Sequence, residues 1–140
     1  MATVPVSRVP VAAPVAAAAG GGGSVALSTA QTGNGASTNV ADRGGLTGSA
    51  LLTITSTIGA TPTVTVAMEA SADGVDWWQP AYATMAAPET PVVTALAAIT
   101  TATTSRYILR PGHPWRYFRL NYSANTNVTL TATLAVFGDQ

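Results

Sequence analysis

The stretch SALLTITSTI, residues 49–58, alternates apolar and hydroxyl-bearing side chains. In an extended chain Leu52 and Ile54 fall on one face, while Thr53 and Thr55 fall on the other. This alternation is typical of a strand with one buried face and one wet face, and threonine suits the exposed side of a pleated sheet. The stretch therefore predicts a β-strand in an antiparallel, two-layer protein.

The same period of two recurs in TVTVAMEA (63–70), WRYFRLNYS (115–123) and NVTLTATLAVFG (127–138). In the second of these, Phe118 and Leu120 share a face. With a short first strand beginning at residue 25, the pattern amounts to about seven to eight strands separated by turn residues. We expect an all-β fold, an antiparallel β-sandwich of jelly-roll or Ig-like type.

The stretch from residue 85 to residue 112 has an alanine-rich middle that could be read as a short helix. Pro88 and Pro91 precede that middle, and β-branched residues interrupt it. Proline and β-branched residues both disfavour helix, so we expect a long loop with one strand near 92–96 and another at 105–110.

The N-terminal residues have a different composition and divide the chain into three parts. Residues 1–24 carry regularly spaced prolines and then AAAAGGGGS, which predicts an extended arm with a flexible joint. Residues 25–48 are expected to form a short strand and a connector rich in glycine and asparagine, and residues 49–140 the sandwich. The arm supplies apolar candidates for contacts with other subunits: Val4, Pro5, Val6, Val9, Pro10, Val11, Pro14 and Val15.

Composition excludes several classes of function. The formal net charge is zero, no lysine is present, and charged residues are only 9% of the chain. Without a basic stripe we expect no nucleic-acid binding, and without a long apolar run we expect no membrane span. The prolines of the arm argue against a secretion signal. No cysteine is present, which removes disulfides, thiolate metal sites and a cysteine nucleophile.

Catalytic and metal-binding constellations are not evident. His113 is the single histidine, in RPGHPW, and no nucleophile or orienting carboxylate can be assigned to it from the sequence. Asp73 and Asp76 could offer oxygen ligands to calcium, but their spacing fits no calcium loop, and a plain turn explains Asp73. We therefore expect a protein that is not an enzyme and that has no cofactor and no metal site.

The segment SADGVDWWQPAYA, residues 71–83, joins a polar turn to two adjacent tryptophans. Asp-Gly is a favoured central pair of a two-residue hairpin, so Ala72–Val75 is predicted to close one. Trp77 and Trp78 then point to opposite faces, and we expect one to be buried and the other exposed. An exposed indole more often belongs to an interface than to a free surface.

Four arginines in the C-terminal third alternate with aromatic residues. They could form an interface or a sugar-stacking platform, or they could pair with rings and acids within one sheet. The second interpretation is favoured for most of them. The candidate binding residues in this part of the chain are Trp78, Tyr82, Arg116 and Arg119.

The motif Ser71-x-Asp73-Gly74-x-x-Trp77, with the later Arg116-Tyr117-x-Arg119 strand, resembles small phage virion proteins with a β-sandwich. It is also similar to discoidin-like (F5/8 type C) domains, although many of those carry a cysteine pair. The phage resemblance implies a capsid decoration or minor capsid protein, a trimer in the virion that is assembled in the host cytoplasm. Its partners would be the major capsid protein or other virion subunits, cemented through the N-terminal arm. The alternatives are a tail or neck component, or a carbohydrate-binding module for adhesion to the host surface, with a glycan as ligand.

Overall fold

A computed structural model describes residues 14–16, 22–44, 48–93, 96, 98–110 and 114–137. Over these ranges the chain forms nine β-strands and no helix, which confirms the all-β prediction. The strands are β1 (Pro14–Ala16), β2 (Gly22–Gln31), β3 (Gly35–Ala36), β4 (Val40–Asp42), β5 (Ala50–Ser71), β6 (Tyr82–Thr84), β7 (Ala87–Val92), β8 (Thr103–Leu109) and β9 (Tyr117–Phe137).

Two long strands, β5 with 22 residues and β9 with 21, form the frame of the fold. They run antiparallel from the pair Ala50 and Val136 to the pair Ser71 and Tyr117. The sequence predicts two separate strands in each of these regions, and the structure joins them. The register of the β5–β9 pairing shifts between Ile58 and Thr65, and the two strands remain paired on both sides of the shifts.

The middle of the long pair is exposed, whereas both of its halves bury every second residue. Residues 57–61 are all exposed, and residues 123–127 are largely so. Thr61, Ala124 and Asn127 have positive φ angles in this region, a conformation that costs free energy for residues other than glycine. The Asn127 Nδ2 donates a hydrogen bond to the Ala60 carbonyl at 2.6 Å, which ties the two strands together at the irregularity.

The two halves of the long pair share one hydrophobic core, so the sheet folds over on itself as a β-sandwich. Ser28 pairs with Ala132 in the C-terminal half of β9, whereas Tyr122 lies in the other half. The hydroxyl oxygens of Ser28 and Tyr122 are 2.9 Å apart. Fully buried aliphatic residues from both halves form the core, among them Leu52, Ile54, Leu130 and Leu134 from one half and Val64, Val66, Met68 and Leu120 from the other.

Shorter strands extend the two halves. The hydrogen-bonded order is β1-β4-β9-β5-β8-β6-β7, and β2 and β3 also pair with β9. Strand β2 covers the C-terminal half of β9, whereas β3 and β4 pair with its N-terminal half. Beside β5, the backbone of Leu96 and Ile99 bonds to Val66 and Val64. Strand β1 and strand β7 therefore end this path on opposite sides.

The strand expected near 92–96 lies earlier, as β7, and that prediction is corrected here. Pro88 and Pro91 fall inside β7 because this strand is last in the sheet order and pairs only with β6. An edge strand tolerates proline, since one side of its backbone has no ladder to complete. The strand expected at 105–110 is present as β8, from Thr103 to Leu109.

The N-terminal boundary also differs from the expected one. The first long strand begins at Gly22, inside the segment assigned to the arm, and pairs with Phe137. Residues 14–16 form β1, which lies parallel to β4 of the same chain. The expected connector contributes β3 and β4 to the sheet.

Candidate interaction surface

The connection between β5 and Trp78 is held by side-chain hydrogen bonds, not by a tight hairpin. The Ser71 hydroxyl accepts from the backbone N–H groups of Asp73 and Gly74 at 3.2 and 2.8 Å. The Asp73 carboxylate accepts from the N–H groups of Val75 and Asp76 at 2.8 and 3.0 Å. We call residues 71–78 the Trp78 loop.

The predicted two-residue hairpin at Ala72–Val75 is wrong, because Ala70 pairs with Trp78 and residues 71–77 form the connection. The side chains of Ser71 and Asp73 satisfy the backbone donors that a hairpin ladder would otherwise use. Gly74 has a φ of 79°, as the Asp-Gly pair leads one to expect.

Trp77 and Trp78 differ in exposure, as expected for adjacent positions on an extended chain, but neither belongs to the core, so the expectation of one buried tryptophan is corrected. Trp78 is 61% exposed, whereas Trp77 is partly buried. The backbone of Trp78 is fixed by two hydrogen bonds with Ala70, of 2.7 and 2.8 Å. The exposed indole is thus attached to a backbone fixed by two hydrogen bonds to Ala70, which reduces the backbone entropy lost when a partner contacts it.

Trp77 belongs to a stack with Arg119 and Glu69 on the outer face of the β5–β9 pair. The Arg119 guanidinium lies over the Trp77 ring, with 4.0 Å between its carbon and the ring centroid. The Nε of Arg119 donates to the Glu69 carboxylate at 2.7 Å, and the two residues are direct cross-strand partners. Within the described residues, the buried Nε1 of Trp77 has no hydrogen-bond partner.

Arg116 forms a second such arrangement beside the first. Its Nε and Nη2 donate to both oxygens of Asp42 at 2.8 and 3.0 Å, and its guanidinium lies 5.1 Å from the Tyr117 ring. The hydrogen bond to Asp42 raises the pKa of Arg116. Both candidate arginines therefore make intramolecular pairs with an acid and a ring, the interpretation that the sequence favoured.

Tyr82 does not share an exposed platform with Trp78. It is only 5% exposed, and its ring packs edge-on against Tyr107 with centroids 5.5 Å apart. Within residues 71–83, Trp78 is therefore the one exposed aromatic side chain, and Val75 is exposed in the same loop. A ligand that needs two exposed rings side by side is not served by Trp78 and Tyr82.

The arm candidates divide into two groups. Val4, Pro5, Val6, Val9, Pro10 and Val11 lie outside the described residues. Pro14 and Val15 lie in β1, opposite Val40 and Ala41 of β4.

Some features of the surface could not be derived from motifs. The partner of Arg116, Asp42, is 74 residues away in sequence, and Met85 and Val93 are exposed on either side of β7. Residues this far apart in the sequence form no local motif from which their contact could be predicted. The only local signal was the apolar character of Met85 and Val93 in a segment rich in turn-forming residues.

Across the described parts of the chain, no group of three or more histidine, cysteine, aspartate or glutamate side chains is placed to hold a metal ion. His113 lies outside those parts. The same residues contain no helix long and apolar enough to cross a membrane.

No family model and no curated protein matches the sequence. Among solved structures, the chain is similar to the crystal structure of the SPBc2 prophage-derived protein YomS, with a TM-score of 0.58 and 10% sequence identity. The match covers 84% of this chain and 93% of that chain. At this identity the likeness shows a shared fold, which agrees with the β-sandwich described above.

Proposed function

We propose that this protein is a non-enzymatic structural protein of a phage particle, where it acts as a capsid decoration or minor capsid protein. The observation that carries the proposal is the exposed indole of Trp78, presented on a backbone fixed by Ala70, Ser71 and Asp73. Preorganised exposed tryptophans are typical anchors of protein interfaces. The prophage origin of the similar solved structure supports a phage setting for the same fold.

The surface composition supports a role within a multi-subunit assembly. Only 9% of the residues are charged, and the exposed positions of β5 and β9 include Thr55, Thr57 and Thr131. A surface with few charges gives little colloidal repulsion between free molecules, while it suits repeated contacts with neighbouring subunits. Many copies on one particle make modest contacts sum by avidity.

The arm carries the cementing role in this proposal. Its valines and prolines offer apolar contacts to a neighbouring subunit or to the major capsid protein, and a homotrimer provides three such arms around each contact point. Decoration of the head is preferred to a tail or neck position because a small body with an extended arm suits the joining of shell subunits.

Co-purification with particles tests the proposal. Particles from the source phage are banded by density, and the copy number of this chain is measured by quantitative mass spectrometry against the major capsid protein. We expect a fixed ratio and, by immunogold electron microscopy, label on the head. Label on the tail would instead support a tail or neck role. Detection of the chain only among unassembled lysate proteins would overturn the proposal.

Two variants then test the surface itself. In Trp78→Ala particles we expect reduced occupancy, whereas Val93→Ala serves as a matched control because Val93 is also apolar and 72% exposed. Deletion of residues 1–13, which leaves β1 in place, should lower the heat resistance of the particles. Unchanged occupancy for Trp78→Ala and unchanged heat resistance for the deletion would argue against both contacts.

Carbohydrate binding is the second candidate, because an exposed, fixed indole also stacks on sugar rings. The isolated protein would then bind on a glycan array or to host cell walls, and Trp78→Ala would abolish that binding while Val93→Ala would retain it. A failure of the unmodified protein to bind any glycan or cell wall removes this candidate.

A further inference from the structure

Strand β1 occupies a position that a separate polypeptide could also occupy. It lies parallel to β4 at one end of the sheet order, with Pro14 opposite Val40 and Ala16 opposite Asp42. On its other side β4 pairs with β9. The pairing of β1 is therefore a strand addition to the edge of β4, a mode of recognition in which main-chain hydrogen bonds supply affinity.

The accepting edge is anchored at both ends by contacts with the body of the protein that do not involve β1. Before β4, the N–H of Asn39 donates to the carbonyl of Leu27 at 2.9 Å. At the end of β4, Asp42 is held by both nitrogens of Arg116. This edge keeps its shape whichever chain supplies the added strand.

The added strand is short, and a linker of small residues precedes β2. Strand β1 has three residues, and Pro14 has no N–H to donate. Residues 17–21 have the sequence AAAGG, and Gly22 begins β2. Sequences of this composition restrict the backbone little, so we expect the linker to permit pairing of β1 with the β4 of either copy.

We propose that β1 exchanges between copies, so that in an assembly the arm of one chain pairs with β4 of its neighbour. The exchanged and unexchanged forms contain the same strand contacts. The length of the linker and the distance between neighbouring subunits therefore decide which form is populated. Six residue steps from Ala16 to Gly22 span at most about 20 Å, so Gly22 must lie within that distance of the position that Ala16 takes beside the neighbour's Asp42. The inference rests on the proposed function, which brings neighbouring copies together.

Engineered disulfides test the exchange, because the chain has no cysteine of its own. Val15 and Ala41 are register partners, so a chain with both Val15→Cys and Ala41→Cys should close an internal disulfide when dilute. A mixture of singly substituted chains, one Val15→Cys and the other Ala41→Cys with an affinity tag, can form this bond only between copies. We expect that disulfide-linked dimer in concentrated protein and in particles.

A mixture of Val15→Cys with Thr90→Cys is the control, because Thr90 is exposed on β7 at the other end of the sheet order. The proposal requires a yield about tenfold or more above this control, the scale of an effective-concentration advantage. A yield no higher than the control, with the doubly substituted chain closing internally, overturns exchange and leaves β1 on its own body. Absence of both disulfides overturns the pairing site itself.

The exchange and the proposed function fail separately. If the chain is absent from particles but the mixed disulfide forms in concentrated solution, the phage role is lost and the exchange stands. If the chain is present in particles at a fixed ratio but the mixed disulfide matches the control, the exchange is lost and the phage role stands.

Discussion

The guanidinium of Arg119 lies 4.0 Å from the centre of the Trp77 ring. The same side chain donates to Glu69, so one arginine links the Trp78 loop to both long strands. This contact explains why the first tryptophan of the adjacent pair is held against the body and the second is left exposed. The proposed binding surface thus depends on a contact that is itself structural.

Arg119→Lys should destabilise the fold by about 1 kcal/mol, because an ammonium group keeps the charge but loses the flat stacking on Trp77 and the directed bond to Glu69. Urea unfolding followed by tryptophan fluorescence measures the change. Arg106→Lys is the matched control, since Arg106 is exposed on β8, and its effect should stay within about 0.5 kcal/mol. Equal effects of the two substitutions would falsify the structural role of the stack.

Asp73→Ala should destabilise the protein by about 1–2 kcal/mol, because its carboxylate accepts two backbone N–H bonds and one from the Ser71 hydroxyl. Amide hydrogen exchange should speed up at Val75 and Asp76. The control is Asp76→Ala in the same exposed loop, which should leave both stability and exchange close to those of the unmodified protein. Retained protection at Val75 in Asp73→Ala would contradict the assignment.

Tyr122 should make the stability fall at high pH. Burial raises the pKa of Tyr122 to about 12, although its hydrogen bond with Ser28 acts in the opposite direction. Between about pH 10 and 12 the unfolded chain loses this proton while the folded chain keeps it, so the stability present below pH 10 declines as pH rises. The full effect is about 2–3 kcal/mol for a shift of this size.

The measurement is urea unfolding of the unmodified protein and of Tyr122→Phe from pH 8 to pH 12. At pH 8 the variant should be less stable by about 1 kcal/mol, because the hydrogen bond to Ser28 is lost. Its further loss of stability at high pH should be smaller, because the variant lacks the buried phenol whose pKa is raised by folding. Parallel curves for the two proteins would show that Tyr122 is not the group responsible.

Trp78→Ala should change the free energy of unfolding by less than about 0.5 kcal/mol, because most of the indole is already in water. Trp77→Ala, one residue earlier, should cost about 2 kcal/mol, since it removes a partly buried ring and the stack with Arg119. Thermal and urea unfolding of the two variants test this contrast. A large loss of stability in Trp78→Ala would mean that its effect on particle occupancy reports folding and not binding.

Much of the fold could be predicted from local patterns. The alternation in residues 49–58 placed Leu52 and Ile54 in the core, and that in residues 127–138 placed Leu130 and Leu134 there. These predictions are confirmed because the period of two is a property of every extended chain, independent of its partners. The difference in exposure between Trp77 and Trp78 agrees with the same rule, although Trp77 is only partly buried and lies outside the core.

The candidate surface was only partly predictable. Intramolecular pairing was favoured for most of the four arginines, whereas Arg116 and Arg119 were named as binding candidates. Both make intramolecular pairs, and their acids could not be assigned, since Asp42 and Glu69 reach them only through the pairing of β4 and β5 with β9. The alternation predicted that one of the two adjacent tryptophans is exposed, but it did not decide between Trp77 and Trp78. The burial of Tyr82 could not be predicted, because it depends on packing against Tyr107 of a distant strand.

The sequence by itself determined that this protein is built of strands, which residues of the regular strands face the core, and that residues 1–24 differ in composition from the rest. Those properties arise from the spacing of side chains along one extended segment, which the sequence contains in full. Only the tertiary structure decided that β5 and β9 each run through an irregularity as one strand, that Ser71 and Asp73 replace a hairpin ladder, and that β1 adds to β4. These depend on which distant backbone or side-chain groups satisfy each N–H and C=O, and that pairing exists only when the chain has folded.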